Sequence, residues 1–152
     1  MVVVSNDLHA EAQAVLEAFR LGWVALDAAQ VLATFCRESN VVVYGTDRSE
    51  EWFGREQLVE PFATMTRIYR NPVYVWGDGE PVIRPFGDGA WAYGFLSVTL
   101  EADGQRYDFK MRTTFVLERE AGDLKICHAH CSVGLEDSAA PYSDRAPNGS
   151  LP

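Results

Sequence analysis

Two histidines stand two residues apart in the last strand-like run of the chain, a spacing that metal sites use. On a strand, His128 and His130 point to the same face with about 7 Å between them. A third ligand is needed, and the only other histidine, His9, begins the first helix-like segment. The inferred cross-strand neighbour of His130 is Arg112, a fixed cation that would repel a metal. We therefore predict no metal site and interpret the pair as part of a hydrogen-bonded cluster at a subunit contact.

The cysteines could supply nucleophilic or redox chemistry, but their placement argues against both. Cys131 follows His130 directly, and adjacent strand residues face opposite sides of a sheet, so the two cannot form a Cys–His pair. Cys127 and Cys131 are four residues apart on one strand, about 13 Å, which is too far for a disulfide. We interpret both as small core residues and predict a reducing, cytoplasmic location.

Three carboxylates lie close together in the segment GTDRSEEWFG, at the predicted mouth of any pocket. A general base needs a partly buried carboxylate with a raised pKa. The same cluster of Asp47, Glu50 and Glu51 is also typical of a solvated turn in which Asp47 bonds its own backbone. Asp47 and Tyr93 are the candidates for a catalytic role, and whether the chain catalyses a reaction stays open.

The elements that must position these residues are helices first and strands afterwards. Apolar residues repeat every three or four positions over Leu8–Leu26, which predicts an amphipathic helix with Asn6-Asp7 as its N-cap. A short second helix, a strand at 41–44 and a third helix follow, and Pro61 is expected to kink or restart that third helix. The remainder, up to Val133, is strand and turn, so the predicted fold class is α+β.

Alternation along the strands predicts two faces of one sheet. In the run 107–118 the odd-numbered positions are apolar and predicted to face the helices. We assign the same parity to the run 90–102, and place Phe115 opposite Cys127 across a three-residue loop that ends at Gly122. The predicted pocket lining is Phe19, Trp23, Tyr44, Trp52, Met65, Tyr69, Trp91, Tyr93, Ser97, Phe115 and Cys131. The outer face, predicted to be buried in a homodimer, comprises Leu96, Val98, Arg112, Thr114, His128, His130 and Ser132.

Length and charge limit the function classes. The chain has 152 residues and a net charge of −9, which disfavours nucleic acid as a partner. No apolar run approaches the ~20 residues that a membrane span needs, so no membrane partner is expected. We predict one domain over residues 1–135 and a mobile tail rich in Pro, Ser and Gly over 136–152.

The order of elements, the GTDRSEEWFG segment and the closing Ile126-x-His128-x-His130-x-Ser132 pattern together resemble the nuclear transport factor 2-like superfamily. Within it, the chain is similar to SnoaL-like domains and to the association (hub) domain of calcium/calmodulin-dependent protein kinase II. A turn over 87–90 is a further match, and the resemblance covers about residues 8–134. It implies a cone-shaped fold in which N-terminal helices pack on the concave face of a curved, mainly antiparallel sheet. The convex face commonly dimerises.

The resemblance also implies where functional residues would lie. The oxyanion-donor tyrosine of ketosteroid-isomerase-like members falls at Phe19, and their catalytic aspartate falls between Val43 and Gly45, where there is no carboxylate. The cationic pocket positions of the kinase hub fall at Ser97, Phe115, Cys131 and Met65. We therefore expect a small, largely uncharged hydrophobic ligand and no cofactor. Binding in a dimer, turnover by an isomerase, cyclase or lyase acting on a hydrophobic ring compound, and a role as an oligomerisation module stay open.

Overall fold

The computed structural model describes residues 4–38 and 40–134, with side chains from Asp7 onward, so the predicted tail at 136–152 lies outside the described residues. Three helices precede most of a seven-stranded sheet. The elements are α1 Val4–Val24, α2 Ala28–Ala33, β1 Val42–Tyr44, β2 Glu51–Phe53, α3 Glu56–Ile68, β3 Arg70–Trp76, β4 Val82–Phe86, β5 Gly89–Ala102, β6 Gln105–Glu120 and β7 Asp123–Val133. The predicted α+β class is confirmed.

The helices follow the apolar pattern, with differences at the ends of α1 and at Pro61. The predicted stripe of α1 is buried or partly buried up to Trp23, Leu16 belongs to it with no exposed surface, and Leu26 lies beyond the last helical residue, Val24. Because α1 already begins at Val4, Asn6-Asp7 cannot be its N-cap, and that prediction is wrong. Asp27 caps α2 by accepting a hydrogen bond from the Gln30 N–H at 3.0 Å. Pro61 does not restart α3, which runs through it without a break. Among the described helices, none has both the length and the apolar composition that a bilayer crossing requires.

The strands form a curved open sheet in the order β2-β1-β7-β6-β5-β3, with β4 also paired to β5. All pairs are antiparallel except β1 with β7, which is parallel. Helix α1 lies across the sheet and contacts β3, β4, β5 and β7. We call the side that α1 covers the inner face and the opposite side the outer face. On β6 the inner face carries Met111, Thr113, Phe115 and Leu117, all buried, so the parity predicted for this strand is confirmed.

The parity predicted for β5 is wrong. Ala102 pairs with Gln105 across a two-residue turn, in which Asp103 (φ 52°) and Gly104 (φ 75°) are both left-handed. This turn pairs every odd residue of β6 with an even residue of β5, for example Phe115 with Ala92. The even residues of β5 therefore face α1. The aromatic bulk of the odd positions suggested the opposite, but small residues fill the inner face where the helix approaches.

Five predicted positions change sides as a result. Trp91, Tyr93 and Ser97 lie on the outer face and are exposed, so they cannot line a cavity beneath the helices. Leu96 and Val98 are buried on the inner face, with 0% and 1% exposure, so they cannot form part of a dimer face.

The register between β6 and β7 is shifted by two residues from the predicted one. The connecting loop has two residues, Ala121 (φ 50°) and Gly122 (φ 90°), rather than three. A bulge at Cys127 then adds one unpaired residue, because Leu117 pairs with Ile126 while Val116 pairs with His128. Phe115 consequently lies opposite Ala129 rather than Cys127. The same shift places Arg112 opposite Ser132 and Thr114 opposite His130. A shift of two preserves parity, so the histidines still lie on the outer face.

Candidate functional site

A cavity of about 90 Å³ lies between the inner face and the helices, beside the loop that joins β1 to β2. That volume is smaller than the ~150 Å³ of an engineered cavity that holds benzene, so it encloses only a few heavy atoms. Thr46 of the loop borders it and is exposed, so the cavity opens at this loop. Half of the described residues that border it are aromatic: Phe19, Trp23, Phe35, Tyr44, Trp52, Phe62, Tyr69, Tyr74 and Phe109.

Glu50 is the one carboxylate among the described residues that borders this cavity. It is partly buried, and its Oε1 accepts a hydrogen bond from the Asp47 N–H at 3.1 Å. Burial raises the pKa of its carboxyl, and the negative charge of Asp47 raises it further. Hydrogen bonds from the backbone N–H groups of Asp47 and Thr46 offset part of that rise. A carboxyl with a raised pKa beside an apolar cavity has the properties of a general acid or base.

The position of Glu50 depends on strand pairing and on a glycine. Trp52 pairs with Val43 on the inner face, and Glu50, two residues before it, lies on the same side. The Gly45 N–H donates to the Glu50 carbonyl at 2.8 Å, which closes the loop. A Cβ at Gly45 would overlap the Glu50 side chain, so the absence of one leaves room for the carboxylate to fold against the backbone.

Two further titratable groups border the cavity near Glu50. Burial, and then the charge of Glu50, raise the pKa of the Tyr69 phenol. The same two causes raise the pKa of the Cys131 thiol to about 12. Deeper in the core, burial also raises the pKa of Tyr74. These groups are therefore protonated at neutral pH, where a phenol can donate a hydrogen bond but a thiol is a poor nucleophile.

Neither residue predicted to be catalytic lies in this cavity. Asp47 is exposed, and its Oδ1 accepts from the N–H and the hydroxyl of Ser49 at 2.9 and 2.8 Å, which lower its pKa. A solvated carboxylate of lowered pKa is a weak base. The hydrogen bonds of Asp47 to Ser49 are those expected of a turn residue, which was the alternative interpretation. Tyr93 lies on the outer face, where its ring stacks on Trp91 with 5.4 Å between centroids.

Seven of the predicted lining residues border the cavity: Phe19, Trp23, Tyr44, Trp52, Met65, Tyr69 and Cys131. Tyr44 does so while its ring packs against His128, His130 and Phe53 on the outer face. Phe115 is buried behind the cavity, 5.3 Å from the ring of Phe19. Sequence reasoning passed over Glu50 in favour of Asp47, although alternation backwards from Trp52 would have placed Glu50 inside.

The predicted family is decided by a sequence profile. The profile of the SnoaL-like domain matches residues 12–136. The chain belongs to the SnoaL-like domain family. A search of curated protein sequences gave no match.

Solved structures show the same fold as this SnoaL-like domain. A nuclear transport factor 2-like superfamily protein from Salmonella enterica has a TM-score of 0.77 at 17% identity, covering 87% of this chain and 94% of that one. A ketosteroid isomerase-like protein from Erwinia carotovora atroseptica has a TM-score of 0.71 at 19% identity, covering 87% and 99%. A candidate calcium/calmodulin-dependent protein kinase II association domain from Xanthomonas campestris has a TM-score of 0.69 at 23% identity, covering 83% and 87%. The resemblance predicted from the sequence is confirmed at the level of fold.

Positions inferred from the resemblance divide between the two faces of this SnoaL-like domain. Met65 and Cys131, matched to cationic residues of the kinase hub, border the cavity and carry no charge at neutral pH. Ser97, matched to another, lies on the outer face and cannot contribute. Phe19, matched to the isomerase tyrosine, borders the cavity without a hydroxyl.

The two histidines of the SnoaL-like domain lie on the outer face, as their parity predicted. His128 Nδ1 lies 2.9 Å from the Val42 carbonyl, and both imidazoles contact the Tyr44 ring edge to face. Arg112 donates through Nε to the Ser132 hydroxyl at 3.1 Å, rather than approaching His130. Over residues 4–38 and 40–134, no group of three His, Cys, Asp or Glu side chains is arranged to hold a metal ion.

Proposed function

We propose that this SnoaL-like domain transfers a proton to or from a small hydrophobic molecule in its cavity, with Glu50 as the acid–base group. The reaction class is that of a cofactor-independent isomerase, cyclase or lyase. The observation that carries the proposal is a partly buried carboxylate of raised pKa at the wall of an otherwise apolar cavity. Such a group retains its proton to a higher pH than a solvated carboxylate and is a stronger base once ionised.

The surroundings of Glu50 support the same chemistry. Tyr69 is a protonated phenol at the cavity wall and supplies a hydrogen-bond donor for a developing negative charge. The apolar lining excludes water from the rest of the site, which strengthens both interactions. A neighbour of the same fold is described as ketosteroid isomerase-like, and isomerases of that kind move protons without a cofactor. Here the acid lies on the β1–β2 loop rather than on β1.

Proton exchange at carbon tests this proposal without knowledge of the natural substrate. Cyclopentanone needs to place only its carbonyl group and one α-carbon in the cavity, with the rest of its ring toward the opening at Thr46, and its α-protons exchange with D₂O only when a base removes them. We expect the protein to accelerate that exchange and Glu50→Gln to lower the rate by about 10²-fold or more, measured by NMR. Glu51→Gln is the matched control, since Glu51 is the adjacent carboxylate, is exposed and does not border the cavity. Equal rates for the wild type and Glu50→Gln would contradict the role of Glu50 as the acid–base group.

We also propose that a second copy of the chain covers the outer face. Large apolar side chains are exposed there, among them Phe53 at 53%, Val75 at 52% and Trp91 at 44%. Tyr93 stacks on Trp91 and extends its exposed apolar surface, and exposed apolar area of this kind marks interaction sites. The predicted residues Arg112, Thr114, His128, His130 and Ser132 also lie on this face, so they stay within the proposed contact.

Sedimentation velocity over a range of concentrations tests this assembly. Trp91→Lys should convert the dimer to a monomer because it places a charge in the apolar contact. Leu21→Lys is the control, since Leu21 is 43% exposed on α1 at the opposite side of the sheet. Arg112→Ala and His130→Ala should weaken the dimer to a smaller extent. A monomeric wild type would exclude the dimer, and a larger ring would indicate an oligomerisation module. The predicted cytoplasmic location accords with the lack of a disulfide among the described cysteines and stays a prediction.

A further inference from the structure

The cavity lining is apolar in composition, but its aromatic rings and its single carboxylate also give it an electrostatic preference. Tryptophan, tyrosine and phenylalanine make up half of the described residues that border it, although the ring of one of them, Tyr44, lies on the outer face. The face of an aromatic ring carries partial negative charge, and Trp attracts cations most strongly. Glu50 adds the one carboxylate, and no Lys, Arg or His among the described residues borders the cavity. The one formal charge among the described lining residues, and any ring that presents its face, therefore favour a positive ligand.

The rings stand at steep angles to one another around Phe62. The Trp23 ring lies 5.0 Å from Phe62 at 70°, and the Trp52 ring lies 6.1 Å from it at 84°. The Tyr74 ring lies 6.4 Å from Trp23. The inclined rings of Trp23, Trp52 and Phe62 have faces that point in different directions, whereas Tyr74 is tilted by only 30° from Trp23.

The missing cationic residues disfavour one ligand class and admit another. Without Arg, Lys or His among the described lining residues, a carboxylate ligand would lose its hydration, gain at most a neutral phenol such as Tyr69 as a donor, and meet the Glu50 charge, so a fully ionised anion is disfavoured. A substituted ammonium ion differs, because its charge is spread over its methyl groups and its hydration is weak. Ring faces and the Glu50 carboxylate would replace that hydration. The lining therefore supports the predicted absence of charge in the ligand only as far as negative charge is concerned, and it admits an organic cation.

We propose that this cavity binds a small organic cation, a substituted ammonium ion, with its alkyl groups against the Trp23, Trp52 and Phe62 rings and its charge beside Glu50. The inference rests on the cavity of the proposed function and names the charge of its ligand. The enclosed volume of about 90 Å³ limits the buried part to a head group of a few heavy atoms, and the rest of the ligand lies toward Thr46 at the opening.

Choline and 3,3-dimethylbutan-1-ol provide a matched pair of probes. They have nearly the same shape, and they differ in a quaternary nitrogen that replaces a quaternary carbon. Isothermal titration calorimetry at pH 8 and constant ionic strength should show that choline binds at least about tenfold more tightly than the alcohol. Glu50→Gln and Trp52→Leu should each remove most of that preference. Glu51→Gln and Phe86→Leu are the controls, since neither side chain borders the cavity, Glu51 is exposed and Phe86 is 80% exposed.

The outcomes separate this inference from the acid–base function. Equal or tighter binding of the alcohol would overturn the cation proposal, while the Glu50-dependent exchange of cyclopentanone would still stand. A choline preference that survives Glu50→Gln and Trp52→Leu, or that Phe86→Leu removes, would place the cation at another surface and also overturn the proposal. Choline binding without ketone exchange would support the cation site and contradict the proton-transfer function. Failure of both probes to bind would overturn the cation site.

Discussion

The side chain of Glu50 occupies the space that a Cβ on Gly45 would need. An added methyl group would overlap Oε2, Cδ and Cβ of Glu50 together. The two residues also share a backbone hydrogen bond, from the Gly45 N–H to the Glu50 carbonyl at 2.8 Å. Glycine at this position therefore lets the carboxylate approach the cavity wall, and the relationship can be tested directly.

Gly45→Ala should displace the Glu50 carboxylate and lower the rate of cyclopentanone exchange by about tenfold or more, close to the effect of removing the base. Overpacking of this kind should also lower the free energy of unfolding by about 1 to 3 kcal/mol, measured by urea denaturation. Gly134→Ala is the matched control, because a Cβ there meets no described atom within 4 Å. Full activity in Gly45→Ala would show that the carboxylate does not need its present position.

The raised pKa of Glu50 makes stability depend on pH with a defined sign. Between the unfolded value of 4.5 and the higher folded value, the folded protein holds more protons on Glu50 than the unfolded chain does. The Glu50 contribution to the free energy of unfolding therefore falls as pH rises through that window. Glu50→Gln should gain stability relative to the wild type between pH 4 and pH 8. Urea midpoints of the two proteins measure this, and a difference between them that stays constant with pH would contradict the raised pKa of Glu50.

Catalysis should depend on pH in the complementary sense. Glu50 acts as a base only when ionised, so the wild-type rate of ketone exchange should rise with pH through a midpoint above 4.5. Asp47→Asn should move that midpoint to lower pH, because the charge of Asp47 raises the pKa of Glu50. A midpoint that Asp47→Asn leaves in place would indicate a different titrating group.

The faces of β5 can be distinguished by two truncations on the same strand. Leu96 has no exposed surface, so Leu96→Ala should lower the free energy of unfolding by about 2 to 5 kcal/mol. Tyr93 is 40% exposed and stacks on Trp91, so Tyr93→Ala should cost at most about 1.5 kcal/mol at concentrations where the protein is monomeric. Thermal and urea unfolding of both variants checks this, and the reverse order would restore the parity predicted from the sequence.

The left-handed residues of two hairpin turns can be tested by two substitutions with opposite expected effects on stability. Ala121 is left-handed before Gly122, and Asp103 is left-handed before Gly104. Asn and Asp tolerate this conformation better than Ala does. Ala121→Asn should therefore stabilise the protein by about 0.5 to 1 kcal/mol, and Asp103→Ala should destabilise it by a similar amount. Urea midpoints measure both, and a loss of stability in Ala121→Asn would contradict the assigned turn.

The sequence predicted those features that depend on local pattern. The stripe of α1, the odd face of β6 and the outward histidines follow from periodicity, and the family follows from the order of elements. The inward face of β5 was assigned from the bulk of Trp91 and Tyr93. A two-residue turn at Asp103-Gly104 would have predicted the observed pairing, in which the even residues of β5 face inward. The length of a turn fixes which residues of two strands pair, whereas the size of a side chain indicates its face only if the packing partner on that face is known.

Other features depend on contacts that a single sequence does not display. The bulge at Cys127 moves the apolar positions of β7 from Leu124 and Ile126 to Ala129 and Cys131, but two residues on each side are too few to distinguish a bulge from irregular alternation. The burial of Glu50 requires Gly45 to lack a side chain and the loop between them to close, which involves both ends of a turn. The cavity itself depends on Phe62 and Tyr74, on α3 and β3, being brought beside the β1–β2 loop.

Strand β2 has three residues, lies at the edge of the sheet and pairs with β1 alone among the described strands. An edge strand with so few partners has a lower free energy of local opening than the long central strands β5 and β6. Its amide hydrogens should therefore exchange with solvent well before those of the sheet centre. We therefore expect the loop that carries Glu50 to open locally at a lower cost in free energy than the packed core beneath α1.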